Sequence, residues 1–109
     1  MADPNDDLSV LEQYAMHALV RLHPNGYGVN VREEIERRAG KTVSIGSIYA
    51  TLDRLASRGM VSSRLGEATA ERGGRRKTYF ALTGHGQRAL NASERAIDAM
   101  RGLIAHGVA

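Results

Sequence analysis

Cysteine is absent from this 109-residue chain, which excludes a disulfide framework and any thiolate metal site. The absence agrees with a reducing compartment. Tryptophan is missing as well, and aromatic residues make up only 5% of the chain, so the core must be aliphatic. No apolar run approaches the roughly 20 residues needed to span a bilayer, and the acidic opening MADPNDD is the reverse of a signal peptide. The expectation is a soluble cytoplasmic protein with no membrane partner. There is also no nucleophile elbow, no phosphate loop and no carboxylate pair in an apolar setting. Glu33, Glu34 and Glu36 sit among arginines and read as a charged helix surface. No enzymatic activity and no cofactor are expected.

What is present suffices for one small domain: 42% of the residues are hydrophobic. The net charge of +3 is modest, but its placement is uneven. Between Arg64 and Lys77 five cations (Arg64, Arg72, Arg75, Arg76, Lys77) face two anions (Glu67, Glu71), so this one segment carries the whole excess. A local anionic partner is implied.

Residues 1–8 read as a disordered acidic lead-in. Ser9 with Glu12 has capping-box spacing and opens a helix that should run to about Leu22, before Pro24. Its apolar residues, Val10, Leu11, Tyr14 and Leu19 among them, cover more than one stripe, and the surplus implies a partner subunit. HPNGYG is a turn. Asn30 with Glu33 repeats the cap-and-glutamate spacing and starts a second, highly charged helix closed by Gly40.

The third helix, 44–58, organises the rest. Ile45, Ile48, Tyr49, Leu52, Leu55 and Ala56 gather on one side at i, i+3, i+4 spacing. The opposite side is assigned Ser47, Ala50, Thr51, Arg54 and Arg58. Small residues let a helix approach a groove floor, hydroxyls can bond phosphate or base edges, and Arg can pair with guanine or phosphate. Ser44 is a suitable N-cap and Gly59 a C′ stop.

After Gly59 the period changes. MVSSRL is β-compatible, and KTYFALT alternates in part, with Thr78, Phe80 and Leu82 on one face and Tyr79 and Ala81 on the other. GEATAERGGRR between them is polar and basic at its far end, so residues 60–82 form a hairpin with a long tip, a shape that lays cations along a phosphate backbone. Thr83 then caps a last helix from about Gly84 to Ala105. Leu90, Ile97 and Ile104 recur every seven residues with Ser93 and Met100 between them, beside a small-residue stripe at Ala89, Ala92, Ala96 and Ala99. Two stripes need two neighbours. A homodimer is expected, held by Val10, Tyr14, Leu90, Ile97, Met100 and Ile104.

The fold expected is therefore mostly α with a small β-hairpin: a winged helix-turn-helix over 9–82 and a C-terminal dimerisation helix over 83–109. The chain also resembles the PadR-type transcriptional regulators, through YGVNVREEI (27–35), GSIYATLDRLASRGMV (46–61) and RRKTYFALTGHGQRAL (75–90). It looks like the short subclass with a single C-terminal helix, and it has Ala50 where many members have Pro after the tyrosine. The resemblance implies a homodimeric repressor that binds a palindromic operator in double-stranded DNA and is released by a small hydrophobic effector. It further implies DNA contacts from Tyr27, Ser47, Tyr49 and Thr51 and from the wing residues Arg75, Arg76 and Lys77. The residues' own chemistry adds Ser44, Ala50, Arg54 and Arg72 to that surface. Tyr14 and Met100 are the candidate walls of an effector site at the seam.

Two alternatives stand beside this reading. The histidines His17, His23, His85 and His106 have no i, i+4 pairing, but His17 and His106 fall on the seam helices, which allows a metal-responsive repressor. The other is a winged helix used for protein contact, which would require a more apolar outer face on the third helix.

Overall fold

Three of the four described helices begin at a hydroxyl residue that satisfies a free amide: Ser9, Ser44 and Thr83. The computed structural model describes residues 6–67 and 76–102. Its elements are α1 (Val10–Leu22), α2 (Gly28–Ala39), α3 (Ile45–Ser57), β1 (Val61–Leu65), β2 (Thr78–Leu82) and α4 (Gly84–Met100). At α1 the Ser9 hydroxyl accepts from the Glu12 amide at 3.1 Å, and the Glu12 carboxylate accepts from the Ser9 amide at 2.7 Å. This is the expected reciprocal cap. Ser44 caps α3 by accepting from the Ser47 amide at 3.1 Å, and α3 ends with Gly59 in the left-handed region at φ 73°.

The start of α2 differs from expectation. The helix begins at Gly28, with Tyr27 as its flanking residue, and Asn30 stands inside the first turn, where its side chain accepts from the Tyr27 amide at 2.7 Å. The same asparagine donates to the Asn25 carbonyl at 3.0 Å. An Asn can close a helix start from within the first turn when the turn before it is tight enough to return, and NGY supplies that turn.

The core lies between the first three helices and the root of the hairpin. Met16 and Leu19 of α1, Val31 and Ile35 of α2, and Ile48, Leu52 and Leu55 of α3 meet there, roofed by Met60, Phe80 and Leu90. It is aliphatic except for Phe80, as the aromatic content requires. Each of these side chains contributes on the order of 1.5–3 kcal/mol by leaving water.

The strands pair antiparallel with Val61 opposite Leu82 and Leu65 opposite Thr78. The Phe80 amide donates to the Gly26 carbonyl at 2.8 Å, so the α1–α2 turn forms a third rung beside β2. That rung turns Phe80 inward and sets the hairpin against the helices.

Three expectations need correction. Glu34 is buried, because Arg21 of α1 and Arg37 and Arg38 of its own helix close over its carboxylate. The lead-in is anchored at its end: the Asp6 carboxylate meets the His85 ring at 2.9 Å, the Asp7 carbonyl accepts from Arg58 at 2.7 Å, and Leu8 packs on the core. Leu90, assigned to a subunit seam, is 1% exposed and belongs to the core of its own chain, with Ala89 beside it. The reason is that α4 crosses the domain only with its first two turns. Beyond them Ile97 and Met100 stand 52% and 86% exposed. Residues 103–109, with Ile104 and His106, lie outside the described residues. Among the described residues no helix is long and apolar enough to cross a membrane.

Candidate nucleic-acid interface

The helix α3 turns Ile48, Thr51, Leu52 and Leu55 into the core and leaves Ser47, Tyr49, Ala50, Asp53 and Arg54 exposed. Thr51 therefore departs from its assignment to the outer face. It stands three residues after Ile48 and four before Leu55, which places it over the core on a 3.6-residue period. Its hydroxyl is already used: it donates to the Ser47 carbonyl at 2.7 Å and accepts from Arg54 at 3.2 Å. Asp53 was missed as an outward residue, although it is the carboxylate nearest the middle of this face. The Ser44 hydroxyl donates to that of Ser47 at 2.9 Å, so cap and outer face are joined from the start of the helix. Arg58, also assigned to the outer face, instead reaches the buried Glu12 carboxylate at 3.2 Å.

Beside α3 lies a cluster that sequence spacing does not reveal. The Lys77 ammonium sits 3.9 Å from the centre of the Tyr27 ring, and the Arg64 guanidinium 4.6 Å from that of Tyr79. The two rings meet edge to face at 5.9 Å. Each cation is thus held against a π-face, an attraction worth about 0.5–1 kcal/mol at exposed sites. Arg64 also donates to the Pro24 carbonyl at 3.1 Å, which makes it a strut from the wing root to the α1–α2 turn. Tyr49 completes the arrangement, since its ring lies against Gly28 at the start of α2. The exposed face of α3, the start of α2 and the wing root are therefore linked through Tyr49, Gly28, Tyr27 and Lys77. Arg76 is exposed at the foot of the wing, whereas Arg72 and Arg75 fall outside the described residues.

Several cations elsewhere are spent internally: Arg21, Arg37 and Arg38 on Glu34, and Arg58 on Glu12. The Glu34 carboxylate has its pKa held below the ordinary carboxyl value, chiefly by the hydrogen bond from Arg38 and against the effect of burial, with Arg37 adding to the lowering. Of the histidines, His17 meets Glu94 at 3.2 Å and His85 meets Asp6. Among the described residues no group of three His, Asp or Glu side chains is gathered for a metal ion.

Three helices, a two-stranded wing packed beside the third, and a small polar face between them define a winged helix-turn-helix, the DNA-binding fold of transcription regulators. The chain belongs to the PadR-like family of transcriptional regulators, whose model matches residues 15–92. Solved structures agree on the fold. A PadR-like transcription factor from Bacteroides fragilis superposes with a TM-score of 0.72 at 25% identity, covering 88% of this chain and 87% of that one. A PadR family regulator from Clostridium difficile gives 0.74 at 18% identity, covering 93% and 100%. A transcriptional regulator from Thermoplasma acidophilum gives 0.72 at 23%, covering 86% and 85%. Comparison with curated proteins returns no match.

Proposed function

We propose that the protein is a homodimeric repressor that reads an inverted-repeat operator. In each subunit α3 enters a major groove with Ser47, Ala50 and Arg54 at base edges, and Ser44 and the Tyr49 hydroxyl at the backbone. Asp53 joins this set as an acceptor suited to a cytosine amino group. The wing lays Lys77, Arg76, Arg75 and Arg72 along phosphates, and Tyr27 orients the first of them. The observation that carries the reading is the link between the exposed α3 face and the ring-held cations of the wing root. The outer face of α3 is small and polar, which argues against a surface for protein contact.

The dimer is supported by the exposed apolar residues Val10, Val20, Ile97 and Met100. Tyr14 is half-buried on α1, at a cavity it shares with Ile35 and Ala39 of α2. A groove of about 950 Å³ runs along α4 past Ala92, Ala96, Ile97 and Ala99. Yoked through these helices, two α3 helices about 34 Å apart would meet successive major grooves on one face of a duplex. A small hydrophobic effector seated near Tyr14 and Met100 would release DNA by changing that spacing.

Selection of bound duplexes from a random pool tests the reading. A recovered palindrome with half-sites about one helical turn apart is expected. Recovery of no sequence in low salt, from a chain that is monomeric at micromolar concentration, would refute it.

A further inference from the structure

Gly28 is the first residue of α2, directly after Tyr27. It is buried, and the group that buries it is the Tyr49 ring. A β-carbon at Gly28 would come within 2.6 Å of the Tyr49 hydroxyl oxygen and 2.7 Å of Cε1, closer than real side chains approach. We propose that Gly28 is a positioning residue for DNA recognition: its missing side chain is the seat that holds the Tyr49 ring, and hence the outer face of α3, against α2 beside Tyr27 and Lys77. The proposal rests on the DNA-binding reading above.

A core role would give a different pattern. Tyr49 is 42% exposed, so moving its ring opens no cavity beneath it. The overlapping atoms are the far end of a flexible side chain, so a methyl group at residue 28 displaces the ring rather than the backbone. Tyr27 is the residue before the seat, and its ring centre holds the Lys77 ammonium at 3.9 Å. The seat thus links the Tyr49 ring to the wing-root cluster through α2.

The test combines tyrosine-ring NMR with duplex binding, using the sequence recovered by selection. Only four tyrosines are present, so ring-labelled protein gives an assignable spectrum. Gly28→Ala should keep or raise the thermal midpoint, move the Tyr49 ring signals and weaken binding about tenfold, the scale of losing one contact. Tyr49→Ala should weaken binding to a similar degree. The double variant Gly28→Ala with Tyr49→Ala should bind no worse than Tyr49→Ala alone, because the seat has no purpose once the ring is gone. Unmoved ring signals in Gly28→Ala would overturn the proposal, as would full affinity with moved signals, or losses that simply add in the double variant. If Gly28→Ala failed to fold while the double variant folded, the glycine would serve folding alone and the proposal would fall. Wild-type protein that selects no duplex sinks the DNA-binding reading itself, whereas unmoved ring signals with intact selection sink only the seat.

Discussion

Two groups of basic side chains lie on this domain, and they are held in opposite ways. Arg21, Arg37 and Arg38 converge on the buried carboxylate of Glu34, so their charge is answered from inside the protein. Lys77 and Arg64 rest on tyrosine rings, which fix their direction and leave the positive charge in place. A cation already matched by a carboxylate has little left for a phosphate, while one laid on a ring keeps its field. Counting arginines therefore does not locate an anion-binding face. How each cation is held, by a carboxylate as around Glu34 or by a ring as at the wing root, says more than their number.

The largest expected effect that sharpens this contrast comes from the wing root. Replacing Arg76 and Lys77 by alanine should weaken binding to every duplex by roughly tenfold or more, and should flatten the salt dependence by about 2 units of slope. Fluorescence anisotropy across a salt series reads both, and an unchanged slope would remove the wing from the phosphate contacts. Glu12→Gln should come next. It removes the charge that Arg58 meets at 3.2 Å and Arg54 at 4.0 Å and weakens the cap at Ser9, costing about 1–3 kcal/mol in denaturant unfolding.

Glu34→Gln tests the other group through pH. The carboxyl of Glu34 has a lowered pKa in the folded chain, so it stabilises the fold above the ordinary Glu range and loses that contribution as pH falls through the lowered value. The variant should melt below wild type at pH 7, and the gap should close in acid; a gap that widened on acidification would reverse the assignment. Arg37→Ala with Arg38→Ala should lower stability but leave the salt slope of DNA binding within error, which is the direct counterpart of the wing-root experiment. Smallest of all, Thr51→Val should cost about 1 kcal/mol through its lost bond to the Ser47 carbonyl and leave the selected DNA sequence as it was. A changed sequence preference would return Thr51 to the reading face.

What the sequence made legible was local. Ser9, Ser44, Gly59 and Thr83 announce helix ends through chemistry that acts within a few residues, and each stands where that chemistry puts it. The winged helix-turn-helix follows from the order of such segments. Thr51 was misplaced by attending to its polarity and neglecting its angle between Ile48 and Leu55. The ring-held cations were out of reach, because Tyr27 and Lys77, or Arg64 and Tyr79, meet only after the hairpin has closed on the helices. Glu34 was hidden for a related reason: its surroundings are completed by Arg21, which arrives from a different helix.

Thr83 fastens the start of α4 to the domain, and Ala89 and Leu90 hold its next turns in the core. Thr83 caps α4, its hydroxyl donates to the Gly59 carbonyl at 2.6 Å and its amide donates to the Met60 carbonyl at 3.0 Å. The long helix is therefore clamped at its base, to the residues that follow α3 and to the core, and its exposed far end projects like a mast from a fixed footing.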